Sequence, residues 1–365
     1  MPSKIPHFGL VRQYQNLKKE LLDVTDTVLK TGCLMDGEYT NKFESWLKNK
    51  TGANYAVTVH SCTQALEMIA LYMTTNFSFE KEKAPKVYIP NITYVATLNA
   101  FLNAGYEVEL LDTDKNGLVM ESTIEELPKS SIVCSVGLYG ANPVSFNNKN
   151  IILKVIDGAQ HWLIVNSGKV GLGMAISFDP TKNLNSCGNG GAIVTNSIDL
   201  YHFALSYRNN GKNYFESLRK NVKTGTNSRM SEIDTAHCLV KTSYIDDWQL
   251  RRKKIRYYYL DQFKNLPLRC LSNDSIVHAD QKFVIYTENR DVLFDYLKTN
   301  NIECKIHYPR ALSELEIAKN IKNKPSWFST SVLLTKGVLS LPIYPELTDA
   351  EIEYISSTVR KFFDK

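Results

Sequence analysis

The order of apolar and polar positions divides the chain into two textures. Near the amino terminus apolar residues recur at helical spacing. Helices are predicted over 15–30 and 37–50, the second with Phe43, Trp46 and Leu47 on one face at the i, i+3, i+4 interval. From residue 55 onward, short runs rich in β-branched residues alternate with helical stretches: 55–59 then 63–73, 86–89 then 93–104, with further strand-like runs at 107–111, 132–136 and 151–156. That alternation predicts an α/β fold, a mostly parallel sheet covered by helices. Between 174 and 196 the pattern becomes strand, loop, strand around Gly188, Gly190 and Gly191, which predicts a hairpin-like pair and a mixed edge to the sheet. One long helix is expected over 231–263, and beyond it the signals are shorter and more widely spaced. A boundary near residue 245 gives a large domain over 1–245 and a smaller C-terminal α/β domain over 246–365.

Composition excludes several classes. With 365 residues, 43% hydrophobic and 22% charged, the chain is long and apolar enough for two or three packed domains. A net charge of +5 is too small for a protein that wraps nucleic acid, and the basic run Arg251-Arg252-Lys253-Lys254 is expected to be a solvated helix face. The cysteines at 33, 62, 134, 187, 238, 270 and 304 are scattered and odd in number. They form no Cys-x-x-Cys clip and no zinc pattern, which predicts a reducing, cytoplasmic setting and no metal. Residues 1–14 have no apolar signal region, and no run of about 18 apolar residues occurs, so no membrane span is expected.

In open α/β sheets ligands bind outside the carboxyl ends of the strands. Four predicted strands end in unusual residues. The run 151–156 leads into Asp157-Gly158-Ala159-Gln160, and 175–178 into Asp179-Pro180-Thr181-Lys182-Asn183. The run 55–59 leads into His60-Ser61-Cys62-Thr63, and 86–89 into Pro90-Asn91-Ile92-Thr93-Tyr94. Together they supply an acid, an amine, a hydroxyl pair at a helix start and an aromatic ring. A pyridoxal phosphate site needs those groups: an amine for a Schiff base, a carboxylate for the pyridine nitrogen, an anion-binding helix start and a ring to cover the cofactor. Each also has an ordinary explanation, as a helix cap, a solvated lysine or a core tyrosine.

The segment Ser177-Phe178-Asp179-Pro180-Thr181-Lys182-Asn183-Leu184, followed by Gly188-Asn189-Gly190-Gly191, resembles the lysine segment of the DegT/DnrJ/EryC1/StrS nucleotide-sugar aminotransferases, which are fold-type I pyridoxal phosphate enzymes. Phe43-Glu44, Ser61 to Leu66, Pro90 to Thr97, Leu138-Tyr139-Gly140, Asp157 to His161, Gly225-Thr226-Asn227-Ser228-Arg229, His307-Tyr308-Pro309 and Leu341 to Pro345 follow the same family in the same order. The resemblance implies that Lys182 is the catalytic lysine that carries the cofactor, that Asp157 pairs with the pyridinium, and that Tyr94 stacks on the ring. It also implies that Gln160 sits beside the 3-hydroxyl, that Thr63, Ser177 and the backbone at Cys62 hold the phosphate, and that Asn227 reaches that phosphate from a neighbouring subunit. His307 and Tyr308 would approach the sugar nucleotide. The implied reaction moves an amino group from an amino acid, L-glutamate, to a keto group at C3 or C4 of a nucleotide-linked keto-deoxyhexose, dTDP-linked, in a homodimer with shared sites.

Two positions depart from the family pattern. Cys62 stands in the middle of the usual Ser-Gly-Thr, and Gly137 replaces a common histidine before Leu138-Tyr139-Gly140. Gly168, Gly171 and Gly173 imitate a dinucleotide fingerprint, but a strand is predicted where that motif needs a helix, which excludes a Rossmann dehydrogenase. Three rivals remain. A sugar dehydratase of the same family would carry histidine in place of Lys182. A non-catalytic sensor or assembly protein would lack the acid, the lysine or the phosphate hydroxyls. A lyase or desulfurase would need a nucleophilic cysteine beside the cofactor, for which Cys187 is the candidate.

Overall fold

Two amphipathic helices open the chain, α1 (Leu10–Thr31) and α2 (Glu38–Thr51), and each stops at a glycine in the left-handed region, Gly32 (φ 67°) and Gly52 (φ 73°). There follow β1 (Tyr55–Val59), α3 (Cys62–Asn76), β2 (Lys86–Pro90), α4 (Val95–Asn103), β3 (Glu107–Leu111), α5 (Glu121–Glu125), β4 (Ser131–Val136), β5 (Ile151–Asp157), β6 (Gly173–Ser177), β7 (Gly191–Thr195) and α6 (Ile198–Tyr207). The remainder comprises α7 (Glu232–Thr242), α8 (Ile245–Gln262), β8 (Arg269–Cys270), β9 (Phe283–Tyr286), α9 (Arg290–Thr299), α10 (Ser329–Gly337), β10 (Val338–Leu341) and α11 (Asp349–Phe363). This computed structural model describes residues 4–77, 84–143, 151–169, 171–212, 224–271, 277–321 and 328–364.

β1 to β7 form one seven-stranded sheet in the order β1-β7-β6-β5-β4-β2-β3. All run parallel except β7, which is antiparallel to both β1 and β6. The predicted strand pair at 174–196 is therefore present, but its antiparallel member lies one position in from the edge, which β1 occupies. The carboxyl ends of β1, β2, β4, β5 and β6 consequently face one side, and the start of β7 joins them: Gly191 pairs with Val59 on one side and with Ser177 on the other. β4 and β6 are buried along their whole length, as strands covered on both faces must be.

The helix expected over 231–263 is two helices, broken at Ser243-Tyr244. Packing explains the break. Ile245 is buried with Phe43, Ile176 and Phe178 against the large sheet, whereas Ile255, Tyr259 and Phe263 are buried in a second core, so the chain turns to pass between them. That second core lies under a three-stranded antiparallel sheet, β10-β9-β8, and contains Phe283, Leu293, Leu339 and Ile355. Ile5 joins it from the start of the chain and forms a parallel bridge with Ile302.

A buried polar knot fixes α2 to the sheet beside the β1 carboxyl end. Glu44 Oε1 accepts hydrogen bonds from Thr58 N (2.8 Å), Thr58 Oγ1 (2.8 Å) and Arg208 Nη1 (2.7 Å), and Arg208 Nη1 also donates to the Thr58 carbonyl (2.7 Å). Arg208 is buried, with Asp36 at 3.4 Å from its Nη2 as a second, longer ion pair. Removing one partner of a buried pair leaves the other charge poorly compensated, a loss of about 3–5 kcal/mol. Because Asp36 remains, Glu44→Ala should cost near the lower end, about 3 kcal/mol, measured as the change in unfolding free energy in a urea titration.

Candidate active site

The loops at the β1, β2, β5 and β6 carboxyl ends surround a cavity of about 350 Å³, within the range of small-molecule sites. Its lining includes nine residues expected from the sequence: Cys62 and Thr63 from the start of α3, Tyr94 before α4, Asp157 and Gln160 after β5, Ser177 and Lys182 after β6, and His307 and Tyr308 from the segment beyond α9. Asn227 is the one expected site residue that does not line it. The segment around Asn227 is held by Asn210 N to Thr226 O (2.9 Å), Ser228 N to Arg208 O (2.9 Å) and His60 N to Ser228 O (2.7 Å), and Asn227 itself is exposed.

Asp157 forms the floor. It is the last residue of β5, and its carboxylate accepts from Thr97 Oγ1 (2.7 Å) on Oδ2 and from Ala159 N (3.1 Å) on Oδ1. Burial pushes its pKa up. The two hydrogen bonds and the charge of Lys182 oppose that shift without cancelling it. The Cys62 thiol lies 4.0 Å from Oδ1, and burial followed by the Asp157 charge pushes its own pKa well up, so it stays a neutral thiol. Cys62 thus turns its side chain toward the floor of the cavity.

The start of α3 is an anion-binding element. Ser61 caps the helix by accepting from Gln64 N (3.2 Å), and the first-turn amides have no partner within the helix. A Cβ on Gly191 would stand 2.4 Å from the Ser61 carbonyl carbon and 2.5 Å from Cys62 N. Only glycine lets β7 begin this close to the turn that starts α3.

Lys182 sits in a tight loop after β6. Asp179 Oδ1 accepts from Thr181 N (2.9 Å) and Thr181 Oγ1 (2.5 Å), Lys182 N donates to the Asp179 carbonyl (2.9 Å), and Ser177 Oγ accepts from Asp179 N (3.3 Å). Gln281, from the segment before β9, straddles the lysine: its Oε1 accepts from Asn183 N (3.0 Å) and its Nε2 donates to the Thr181 carbonyl (2.9 Å). Asn183 Nδ2 donates to Gln249 Oε1 (2.9 Å) and to the Ala279 carbonyl (2.7 Å).

The opposite wall joins both parts of the chain. Gln160 Oε1 accepts from Tyr139 N (2.9 Å), and its Nε2 donates to the Tyr308 hydroxyl (3.2 Å). The Tyr139 hydroxyl donates to the His307 carbonyl, and His307 Nδ1 bonds Ser340 Oγ (2.8 Å). Burial, then the charge of Lys282, holds His307 well below the usual imidazole range. Tyr94 is 58% exposed at the cavity mouth, with its ring centroid 5.9 Å from that of Tyr308, so it is not a core residue.

Several features emerge only in three dimensions. Gln281 and Lys282 belong to a segment without a motif, and nothing in their spacing joins them to Lys182. Thr97 lies in the first turn of α4, and Thr93, just ahead of that helix, meets it (Oγ1 to Oγ1, 3.1 Å). The glycine at 137 also finds its reason: a Cβ there would lie 2.0 Å from His161 Nδ1, so His161 fills the space beside that position. Cys187 does not line the cavity; its thiol bonds His237 Nδ1 (2.6 Å).

The model of the DegT/DnrJ/EryC1/StrS aminotransferase family matches residues 15–360. The dTDP-3-amino-3,6-dideoxy-alpha-D-galactopyranose transaminase of Aneurinibacillus thermoaerophilus is 31% identical, across 98% of this chain and 99% of that protein. The erythromycin biosynthesis sensory transduction protein EryC1 of Saccharopolyspora erythraea is 28% identical, across 98% and 99%. A solved structure of DesV from S. venezuelae superposes with a TM-score of 0.89 at 24% identity, covering 100% of both chains, which establishes the shared fold. On the strength of the match over residues 15–360, the chain belongs to the DegT/DnrJ/EryC1/StrS aminotransferase family.

Proposed function

We propose that the protein is a pyridoxal phosphate-dependent aminotransferase that moves the amino group of an amino acid, L-glutamate, to the C3 or C4 keto group of a dTDP-linked keto-deoxyhexose. It would act as a cytoplasmic homodimer with shared sites. The observation that carries this reading is the meeting of a buried carboxylate, a lysine and a capped helix start on one cavity. That donor set fits the cofactor. Asp157 would hold a proton on the ring nitrogen, the α3 amides with Thr63 and Ser177 would hold the phosphate, and Gln160 would face the 3-hydroxyl. Tyr94 would cover the ring, and Lys182 would carry the cofactor. The close approach of Gly191 to Ser61 and Cys62 shapes the phosphate end.

When bound, pyridoxal phosphate supplies an aldehyde that links to amines and a ring that withdraws electrons from them. The chain supplies the rest. Lys182 Nζ, freed by an incoming donor, removes the proton from the donor Cα, and in the second half of the cycle it returns a proton at the carbon that becomes aminated on the sugar. Asp157, held by Thr97 and Ala159, would set its carboxylate against the ring nitrogen. His307 and Tyr308 face the sugar. Lys182 itself speaks against a dehydratase, Cys187 outside the cavity against a lyase, and the intact donor set against a non-catalytic sensor.

Borohydride reduction of the purified protein should fix the cofactor mass on the peptide containing Lys182. Its appearance on another lysine, or no cofactor after reconstitution, would overturn the assignment.

Asp157→Asn should retain the cofactor and lose about a hundredfold or more in turnover, as loss of a charge-stabilising group does. The same change should stabilise the cofactor-free protein. Because burial raises the folded pKa of Asp157 above its unfolded value, its ionised form destabilises the fold once pH rises through the ordinary carboxylate range of about 4. The variant should therefore melt above wild type at pH 7 and converge with it in acid, as read by calorimetry of the two apo proteins.

The shared-site part of the reading rests on Asn227, which is exposed and absent from the lining of its own chain's cavity. Lys182→Ala disables its own subunit's site, whereas Asn227→Asp sets a carboxylate against the phosphate in the other subunit's site. Co-refolded hybrid dimers would gather both lesions in one site and leave the second intact. Their activity should exceed the average of the two parents; hybrids showing no gain would place Asn227 outside the partner's site.

A further inference from the structure

His307 lines the cavity, and its ring is held from behind. Ser340, on β10, is fully buried, and its main chain pairs with Lys305, two residues ahead of the histidine. Ser340 N donates to the Lys305 carbonyl (2.8 Å), and Lys305 N donates to the Ser340 carbonyl (3.2 Å). This pairing brings the Ser340 hydroxyl to His307 Nδ1 (2.8 Å). The Tyr139 hydroxyl fixes the His307 carbonyl, and the His7 ring packs on that of His307 with 5.8 Å between centroids. The two rings touch without a bond at the buried His7 Nδ1, which has no partner.

A neutral imidazole has one N–H and one bare nitrogen, and the bond made by one nitrogen decides the state of the other. Among the described residues, His307 Nδ1 is the one polar partner of the Ser340 hydroxyl. If Nδ1 carried the proton it would donate to Oγ, and the hydroxyl proton would be shut in the core next to Val284, the partner of Ser340 on β9, with no acceptor. Buried hydroxyls rarely stand so. With the proton on Nε2, Ser340 donates to a bare Nδ1 and both groups are satisfied. The ring stays neutral, because burial, then the charge of Lys282, holds its pKa well below the usual imidazole range. Nε2 has no partner among the described residues and is not sealed in the interior, so its N–H can meet a molecule in the cavity. We propose that Ser340 is a positioning residue that fixes His307 as a neutral Nε2–H donor for an acceptor oxygen of the sugar nucleotide. The identity of that ligand rests on the aminotransferase reading above.

Nitrogen NMR of the wild-type holoenzyme with labelled histidine reads the tautomer directly, the His307 signals being identified by their loss in His307→Gln. A protonated Nε2 and a bare Nδ1 are expected, unchanged between about pH 6 and about pH 8. A protonated Nδ1, a mixture of tautomers or an imidazolium in that range would overturn the proposal. In Ser340→Ala the two nitrogens should move toward a mixture, and an unmoved pattern would show that Ser340 does not set the tautomer.

Kinetics test the consequence. With dTDP-linked 3-keto- and 4-keto-6-deoxyhexoses each offered to the aminated holoenzyme, Ser340→Ala should lower kcat/KM for the one that reacts by about 2- to 10-fold, the worth of one hydrogen bond. In the His307→Gln background the same change should add nothing, because no imidazole is left to hold. Equal losses in both backgrounds would overturn the route through His307. Failure of both sugars to react with the wild type, or absence of cofactor from Lys182, would be a different result: it would overturn the aminotransferase reading and the sugar as ligand, whereas the tautomer is read without turnover.

Discussion

The site depends on the seating of one strand. β7 runs against its neighbours and enters the sheet between β1 and β6, so its first residue, Gly191, is held in register with Val59 and Ser177 at once. Three loops that are far apart in sequence are thereby brought to one point: the capped start of α3, the turn after β6 that bears Lys182, and the approach to β7. A side chain at Gly191 would collide with Ser61 and Cys62 backbone atoms, which unlike a flexible side chain cannot give way without moving the whole turn. The parallel strands then place Asp157 beside this point, because β5 pairs with β6 at Asp157 and Ala175.

Electrostatics accounts for how the cavity stays poised. Two carboxylates and two lysines line a partly dry space, where burial disfavours charge on Asp157 and Lys282 alike. Thr97 and the Ala159 amide favour the charged form of Asp157 but do not overcome burial, so the acid is left seeking a cation. A cavity in which burial opposes the charge of its own ionisable groups is suited to ligands that carry complementary charges, and stability is lost to keep it so.

Much of this was legible in the sequence for identifiable reasons. Strand ends in a parallel sheet are marked by short β-branched runs, and the residues that follow them, Asp157, Lys182 and Ser61, stand next to their signals. Seven of the expected site residues line one cavity for that reason, and His307 and Tyr308, expected from the family resemblance alone, join them from the segment beyond α9. What was not legible depends on contacts between distant segments. The break at Ser243-Tyr244 is invisible to periodicity because both halves are good helix, and it arises from the need of Ile245 and Ile255 to reach different cores. The placing of β7 inside the sheet also escapes local reading, since a hairpin-like pattern does not say which third strand will pair with it. Gln281 and Lys282 lie 99 and 100 residues from Lys182 in the chain, without a motif of their own.

Those two residues show how the second core completes the first. The loop that bears Lys182 has an internal brace in Asp179 and Thr181, but that brace fixes only the loop's own turn. Its orientation to the cavity is set from outside, by the Gln281 amide gripping Thr181 and Asn183 on either side of the lysine, and by Asn183 bonding Gln249 and Ala279. All of these partners come from α8 or the segment before β9, elements whose continuations are buried with Ile255, Phe283 and Ile285. The lysine supplied by the large sheet is therefore aimed by residues anchored in the small one. A change that loosened the second core would reach Lys182 through Gln281 without touching any residue of the large sheet.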